Sequence, residues 1–143
     1  MLYTLLKILL VIHLAGVILG FIGGRVHGAL ISWLETAPAD TAEILWRYEK
    51  SASYMAFLGT SLLIITGILM LVYKWGGLAG QDWLFWVKMV LVAAVGGAEI
   101  VRHITAVKWR QGDQSMLAWT KNSGKFSGIA AVLTVIVGVF NFN

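Results

Sequence analysis

The stretch Leu2–Gly24, LYTLLKILLVIHLAGVILGFIGG, decides the fold of this chain. It is continuously apolar and long enough for one helical passage through a bilayer, which needs about 20 residues. Three similar runs follow, and the predicted spans cover residues 2–24, 53–73, 83–101 and 126–142. The runs are continuous rather than alternating, and four strands could not close a barrel. We therefore predict an all-α integral membrane protein, a four-helix up-down-up-down bundle forming one transmembrane domain over residues 1–143.

The composition supports this class of protein. Hydrophobic residues make up 59% of the chain and charged residues 13%, whereas soluble domains average about 25% charged residues. The absence of cysteine excludes a disulfide framework and a thiolate metal site. The first apolar run is too long and too rich in glycine for a cleavable signal peptide, so we expect a retained helix.

The helices are expected to extend beyond the bilayer on the cytoplasmic side. Thr36–Pro38 ends the first helix, and Ala39–Lys50 continues without a glycine into the second span. That second helix would have roughly 35 residues and a length of about 50 Å. Gly76–Gly80 ends it, and Asp82 and Asp113 are the predicted caps of the third and fourth helices.

Lysine and arginine are concentrated in the first and third connections, which predicts the orientation of the bundle. These residues are Arg25, Arg47 and Lys50, then Arg102, Lys108, Arg110, Lys121 and Lys125. By the positive-inside rule both connections face the cytoplasm. We therefore expect a multi-pass protein of the bacterial inner membrane with both termini on the outer side. The net charge of +4 is explained by topology and anionic lipid headgroups, so no nucleic-acid partner is expected.

Four glycines, Gly16, Gly20, Gly24 and Gly28, recur at every fourth residue of the first helix. Such a ridge is typical of close helix packing of the small-xxx-small type. It could equally form the contact with a second copy of the chain or with a larger membrane complex.

Two histidines flank this ridge on nearly the same helix face. His13 and His27 are 14 residues apart, a rotation 40° short of four full turns and an axial distance of about 21 Å. Gly20 lies midway between them. His13 is well inside an apolar run, where an ionisable group is costly, so it is the first candidate for function.

The third helix repeats the layout with Met89, Gly96 and His103 at steps of seven residues. The first and third helices are parallel in an up-down-up-down bundle. We therefore expect Met89 near the level of His13, and His103 near the level of His27.

This spacing is typical of membrane b-type cytochromes, in which a small residue between two axial ligands lets the porphyrin edge approach the helix. Histidine and methionine are both axial ligands of heme iron. We predict one heme b, bound between His13 and Met89. A second heme between His27 and His103 is the less favoured alternative. The alternatives are that Met89 is a packing residue, and that His27 and His103 are interfacial residues beside arginines.

Four further charged residues lie within the predicted spans or close to their ends, and each has a structural and a functional interpretation or only a structural one. Glu99 either pairs with Arg102 one turn later or acts as a proton relay or support for a ligand histidine. Lys88 either snorkels to the outer interface or pairs with a heme propionate or an acidic substrate, and Arg25 could do the same on the cytoplasmic side. Glu49 is predicted to lie on a solvated helix face.

The layout resembles a group of small four-helix bacterial membrane proteins, which includes the HemJ-type protoporphyrinogen oxidases and the CopD-like copper-resistance membrane domains. The matching features are Leu5–Lys7 leading to His13, Thr66–Leu69 in the second span, Trp83 and Lys88 in the third helix, and Asn122 before the last span. For the oxidase branch the resemblance implies heme binding through membrane histidines and oxidation of protoporphyrinogen, with electrons passed to the respiratory chain. His13 and Lys88 are the positions that carry over.

The expected function is therefore that of a heme b-binding membrane protein in electron transfer or heme-linked oxidation. Its expected partners are the lipid bilayer and either membrane electron-transfer proteins or a quinone. Two alternatives remain: a non-catalytic accessory subunit that packs through the glycine ridge, and a metal-handling membrane protein.

Overall fold

The computed structural model describes residues 1–140, which form four helices and contain no strand. The helices are α1 (Leu2–Leu34), α2 (Ala39–Trp75), α3 (Trp83–Arg110) and α4 (Met116–Phe140). The prediction of an all-α four-helix fold is confirmed. The last two residues of the predicted fourth span, 141 and 142, lie outside the described part of the chain.

All four helices are long and apolar enough to cross a membrane. The longest, α2, has 37 residues and a length of about 55 Å, against a hydrocarbon thickness of about 30 Å. Large apolar side chains such as Val11, Ile65, Val90 and Ile129 are exposed on the outside of the bundle. Lipid tails would cover these side chains in a bilayer, and the helices indicate a multi-pass membrane protein.

The turns between the helices follow the local sequence. Gly76 adopts the left-handed conformation with a φ of 69° at the end of α2, where a residue without Cβ is favoured. The Asp82 carboxylate accepts a hydrogen bond from the Phe85 amide at 2.9 Å, as predicted for the cap of α3. Asp113 instead accepts from the Ser115 amide at 3.1 Å, in the turn before α4 begins at Met116. The Asp113 side chain therefore stabilises the loop before α4, and it does not bond to a backbone amide within α4.

Helix α1 packs against α2 more closely than any other pair of helices. A Cβ atom added at Gly23 would lie 2.6 Å from the Ala56 backbone nitrogen, and one at Gly59 would lie 2.7 Å from the Leu19 carbonyl carbon. Backbone atoms cannot move aside as a flexible side chain can. These glycines are therefore required for the two helix backbones to approach each other.

The four glycines of the predicted ridge lie in three different environments. Gly16 and Gly20 face the α2 backbone around Gly59, as expected for close helix packing. Gly24 lies beside the Arg102 guanidinium instead, and a Cβ at Gly28 would meet nothing within 4 Å. The four glycines do not share one contact, because a step of four residues rotates about 40° per repeat and α2 of the same chain covers Gly16 and Gly20. Contact of the ridge with another subunit stays a prediction.

The bundle consists of two hairpins, α1–α2 and α3–α4. Their mutual contacts, between α2 and α3 and between α1 and α4, are much sparser than the contacts inside each hairpin. Polar side chains make many of the contacts between the hairpins, and most of these side chains lie in one buried region.

Candidate functional site

A buried network of polar and charged side chains joins the two hairpins. We define the buried network as His27 of α1, Glu49 of α2, Glu99, Arg102 and Arg110 of α3, and Ser127 of α4. Glu49 is 0% exposed, His27 1% and Arg102 2%. Ionisable groups inside a membrane protein are costly and typically mark proton, ion or substrate sites. The buried network is therefore the candidate functional site.

His27 is held between one residue of each hairpin. Its Nε2 lies 2.8 Å from Glu49 Oε1, and its Nδ1 lies 3.3 Å from a terminal nitrogen of Arg102. A guanidinium can only donate hydrogen bonds, so His27 Nδ1 must be the acceptor in the second contact. The geometry therefore requires neutral His27 with its proton on Nε2, donated to the Glu49 carboxylate.

Both oxygens of the Glu49 carboxylate accept hydrogen bonds. Oε1 accepts from His27, and Oε2 accepts from Arg110 at 2.9 Å. Arg110 lies near the end of α3 and retains 14% exposure of its side chain. It is therefore the member of the buried network closest to solvent.

The second carboxylate of the buried network is paired in the same way. Glu99 accepts from Arg102 through one oxygen and from the Ser127 hydroxyl through the other, the latter at 2.6 Å. The prediction of an ion pair between Glu99 and Arg102 is confirmed. Gly24 and Gly124 flank the Arg102 side chain, and a Cβ at Gly124 would lie 3.3 Å from Arg102 Cδ. Small residues on α1 and α4 thus make room for this guanidinium.

The charges of the buried network sum to zero while His27 is neutral. Two carboxylates, Glu49 and Glu99, balance two guanidinium groups, Arg102 and Arg110. Removing one partner of a buried pair leaves an uncompensated charge and is strongly destabilising. One donor remains unsatisfied, because Arg102 Nε is buried without a hydrogen-bond partner among residues 1–140.

The prediction for Glu49 was wrong, because this residue is fully buried rather than solvated. A signal for its burial was present in the sequence. Glu49 begins a face of small residues that recurs at three- and four-residue steps along α2 and is buried throughout: Ala52, Ser53, Ala56, Gly59 and Thr60. Such a face packs against other helices, so a carboxylate on it enters the bundle interior.

His13 lies far from the buried network, about 21 Å along α1 from His27. Its Nδ1 is 2.9 Å from the Thr66 hydroxyl oxygen. That hydroxyl gives its own hydrogen to the Leu62 carbonyl at 2.6 Å, so it accepts from His13 Nδ1. The Nε2 atom of His13 therefore carries the lone pair, which is the form of a metal-ligating histidine.

The predicted levels of α1 and α3 are confirmed. Arg102 contacts His27, and Lys88 is close enough to His13 to act on it electrostatically. Met89 and Lys88 are both half-buried, whereas Arg25 is exposed and belongs to no buried site.

His103 and His27 do not form a pair of ligands, because both ring nitrogens of His27 and the Nδ1 of His103 bond to other side chains. Its Nδ1 lies 3.4 Å from the buried Ser53 hydroxyl, and its ring stacks on Phe57 with centroids 4.8 Å apart. Both ring nitrogens of His27 are engaged by protein partners. A heme between these two histidines does not fit the observed side chains.

Gly20 and Gly96 were expected to leave space for a porphyrin edge, but neighbouring side chains fill the space beside both glycines. A Cβ at Gly20 would lie 3.3 Å from the Thr60 hydroxyl, and one at Gly96 would lie 3.0 Å from Ile64 Cδ1. Helix α2 thus fills the space along both glycines. Within residues 1–140, no group of three or more histidine, aspartate or glutamate side chains is arranged to hold a metal ion. Heme b at His13 remains a prediction.

The comparisons with known proteins give no relative. No family model, no curated protein and no solved structure matches this chain. The function is therefore inferred from the chemistry of the buried network and of the individual histidines.

Proposed function

We propose that this chain is a proton-handling protein of a cellular membrane, in which His27 takes up a proton at the contact between the two hairpins. The observation that carries the proposal is the position of neutral His27 between Glu49 and Arg102. A histidine is the side chain whose charge ordinarily changes near neutral pH, and His27 is the one histidine of the buried network.

A proton added to His27 would occupy Nδ1 and displace the Arg102 hydrogen bond. The buried network would then change from zero to one net positive charge, and a terminal nitrogen of Arg102 would lose its acceptor. Arg102 already has one unsatisfied buried nitrogen, so a second would be costly. Loosening of the contact between the hairpins would admit water and relieve this cost.

This coupling predicts movement of the hairpins with pH. Spin labels on cysteines at Ser32 of α1 and Asn122 of α4 report the separation of the hairpins, since both positions are exposed and the chain has no native cysteine. Because His27 is 1% exposed and burial disfavours its charged form, the pH range must extend well below the ordinary histidine titration. Between about pH 8 and about pH 4, we expect the distance to lengthen. His27→Gln, which keeps a polar side chain but does not titrate, should abolish the change.

A control removes a surface ion pair that also joins the two hairpins near the labels. Lys121 Nζ lies 2.5 Å from Glu35 Oε1 on the surface, so all labelled proteins should also carry Glu35→Gln. An unchanged distance with native His27, or the same lengthening in His27→Gln, would refute proton uptake at His27 as the cause.

The finer localisation is also part of the proposal. We place the chain in the bacterial inner membrane with both termini outside, on the strength of the basic residues in the first and third connections. The buried network then lies near the cytoplasmic ends of the predicted spans, where water beside the partly exposed Arg110 side chain can bring protons from the cytoplasm.

Heme b binding in membrane electron transfer is a second candidate function. The hydrogen bond from His13 Nδ1 to Thr66 favours it, because this contact orients the ring and leaves Nε2 as the potential ligand atom. Met89 would be the other axial ligand, and bound heme would supply one-electron chemistry.

A visible spectrum tests this second candidate. Protein purified with heme supplied should show a reduced-minus-oxidised Soret and α band, and His13→Ala should remove or shift it. Val11→Ala, an exposed substitution on the same helix, should leave the bands unchanged. A flat spectrum of the unsubstituted protein would exclude the candidate.

A further inference from the structure

A cavity of about 700 Å³ opens on the α2–α3 side of the bundle, separate from the buried network. Its walls include Leu19 of α1, Tyr54, Met55, Phe57 and Leu58 of α2, and His103 of α3. Small-molecule sites typically enclose about 300–1,000 Å³ and combine apolar walls with a few polar groups. The volume of the cavity falls within this range, and the cavity is broadly open to the outside of the bundle rather than enclosed.

The lining is mostly apolar, and its polar groups are the His103 imidazole and the hydroxyls of Ser51, Tyr54 and Ser61. Ser53 holds its Nδ1, while no residue in the range 1–140 forms a hydrogen bond with Nε2. Another hydroxyl of the lining, that of Ser61, already donates to the Phe57 carbonyl at 2.8 Å. Of the two ring nitrogens of His103, Nε2 is therefore the one left to bond a ligand in the cavity.

Flat aromatic rings surround His103. Phe57 stacks on it, and Tyr54 meets it edge-on with centroids 5.2 Å apart. Aromatic walls of this kind favour a planar ring as the partner, through stacked and edge-to-face contacts. An acyl chain would cover the apolar walls but would give Nε2 no hydrogen bond.

The open side of the cavity lies on the outside of the bundle. Tyr54 is 50% exposed and Leu58 55% exposed at its rim, and residues 53–73 form the predicted second span. A ligand would therefore enter from the bilayer rather than from water, which requires a lipid-soluble molecule.

We propose that the cavity beside His103 binds a lipid-soluble ring compound of the quinone class, with a ring oxygen hydrogen-bonded to His103 Nε2. The site is distinct from the place of proton uptake, because His27 and Glu49 do not line the cavity, although their charges act on His103. Their tests have different readouts, ligand binding here and hairpin separation for His27, so one proposal can fail while the other holds.

Photolabelling with an azido-quinone in lipid nanodiscs tests the proposal, with an unlabelled short-chain quinone as competitor. The label should map to the peptide carrying residues 51–61, and the competitor should remove it. His103→Ala should weaken binding of the competitor roughly tenfold, as expected for loss of one desolvated hydrogen bond. Leu58→Trp, which fills the cavity and leaves His103 in place, should have an equal or larger effect.

Ile104→Ala is the matched control, since Ile104 is the next residue of α3, is 49% exposed and does not line the cavity. Binding by this variant should be unchanged. Labelling spread evenly over the lipid-facing surface, or unchanged competition in both His103→Ala and Leu58→Trp, would overturn the proposal. A Soret band that depends on His103 would also overturn it, by identifying heme as the occupant.

Discussion

Glu49→Ala is expected to destabilise the bundle by about 3–5 kcal/mol, the range measured when one partner of a buried ion pair is removed. The substitution leaves Arg110 without its carboxylate and His27 Nε2 without its acceptor. The buried network would then carry one uncompensated positive charge. Unfolding of the purified protein in mixed micelles, followed by helical circular dichroism, measures the change.

Glu43→Ala provides the matched control, because Glu43 lies on the same helix and is exposed. Surface substitutions of this kind usually change the free energy of unfolding by less than about 0.5 kcal/mol. Equal stability losses for Glu43→Ala and Glu49→Ala would show that the carboxylate of Glu49 has no special partners.

The second large effect is expected from adding a single methyl group between α1 and α2. Gly23→Ala should destabilise the protein by about 3 kcal/mol, the upper part of the range for overpacking, because its Cβ would lie 2.6 Å from the Ala56 backbone nitrogen. The same unfolding measurement applies. Gly59→Ala should lower the free energy of unfolding by a similar amount, because its Cβ would also meet backbone atoms of α1.

Gly28→Ala is the control on the same helix. Nothing lies within 4 Å of a Cβ at Gly28, and alanine is favoured over glycine in a helix by about 1 kcal/mol. We expect unchanged or slightly higher stability. A loss as large as that of Gly23→Ala would contradict the observed packing of α1 on α2.

The fold could be predicted because membrane solvation leaves a continuously apolar chain few choices. Without water to satisfy backbone groups, each long apolar run must be a helix, and glycine and aspartate mark the turns. The parallel arrangement of α1 and α3 followed from the number of helices alone. This is why the levels of His13 and His27 relative to α3 were predicted correctly.

The composition of the site was harder to predict, because it depends on which face of each helix turns inward. Glu49 lies outside the predicted span and next to Lys50, so it was assigned to solvent; only the small-residue face of α2 indicates its burial. The 14-residue spacing of His13 and His27 correctly implied a shared face. The spacing could not reveal that α2 lies along that face and that Glu49 and Arg102 engage both nitrogens of His27.

The most direct test of the central claim is solid-state ¹⁵N NMR of histidine-labelled protein in lipid bilayers at about pH 7.5. The chain has three histidines, so His13→Gln and His103→Gln variants assign the signals. We predict that His27 is neutral, with its proton on Nε2 and a bare Nδ1 that accepts from Arg102. A doubly protonated His27, or a neutral ring with its proton on Nδ1, would contradict the account.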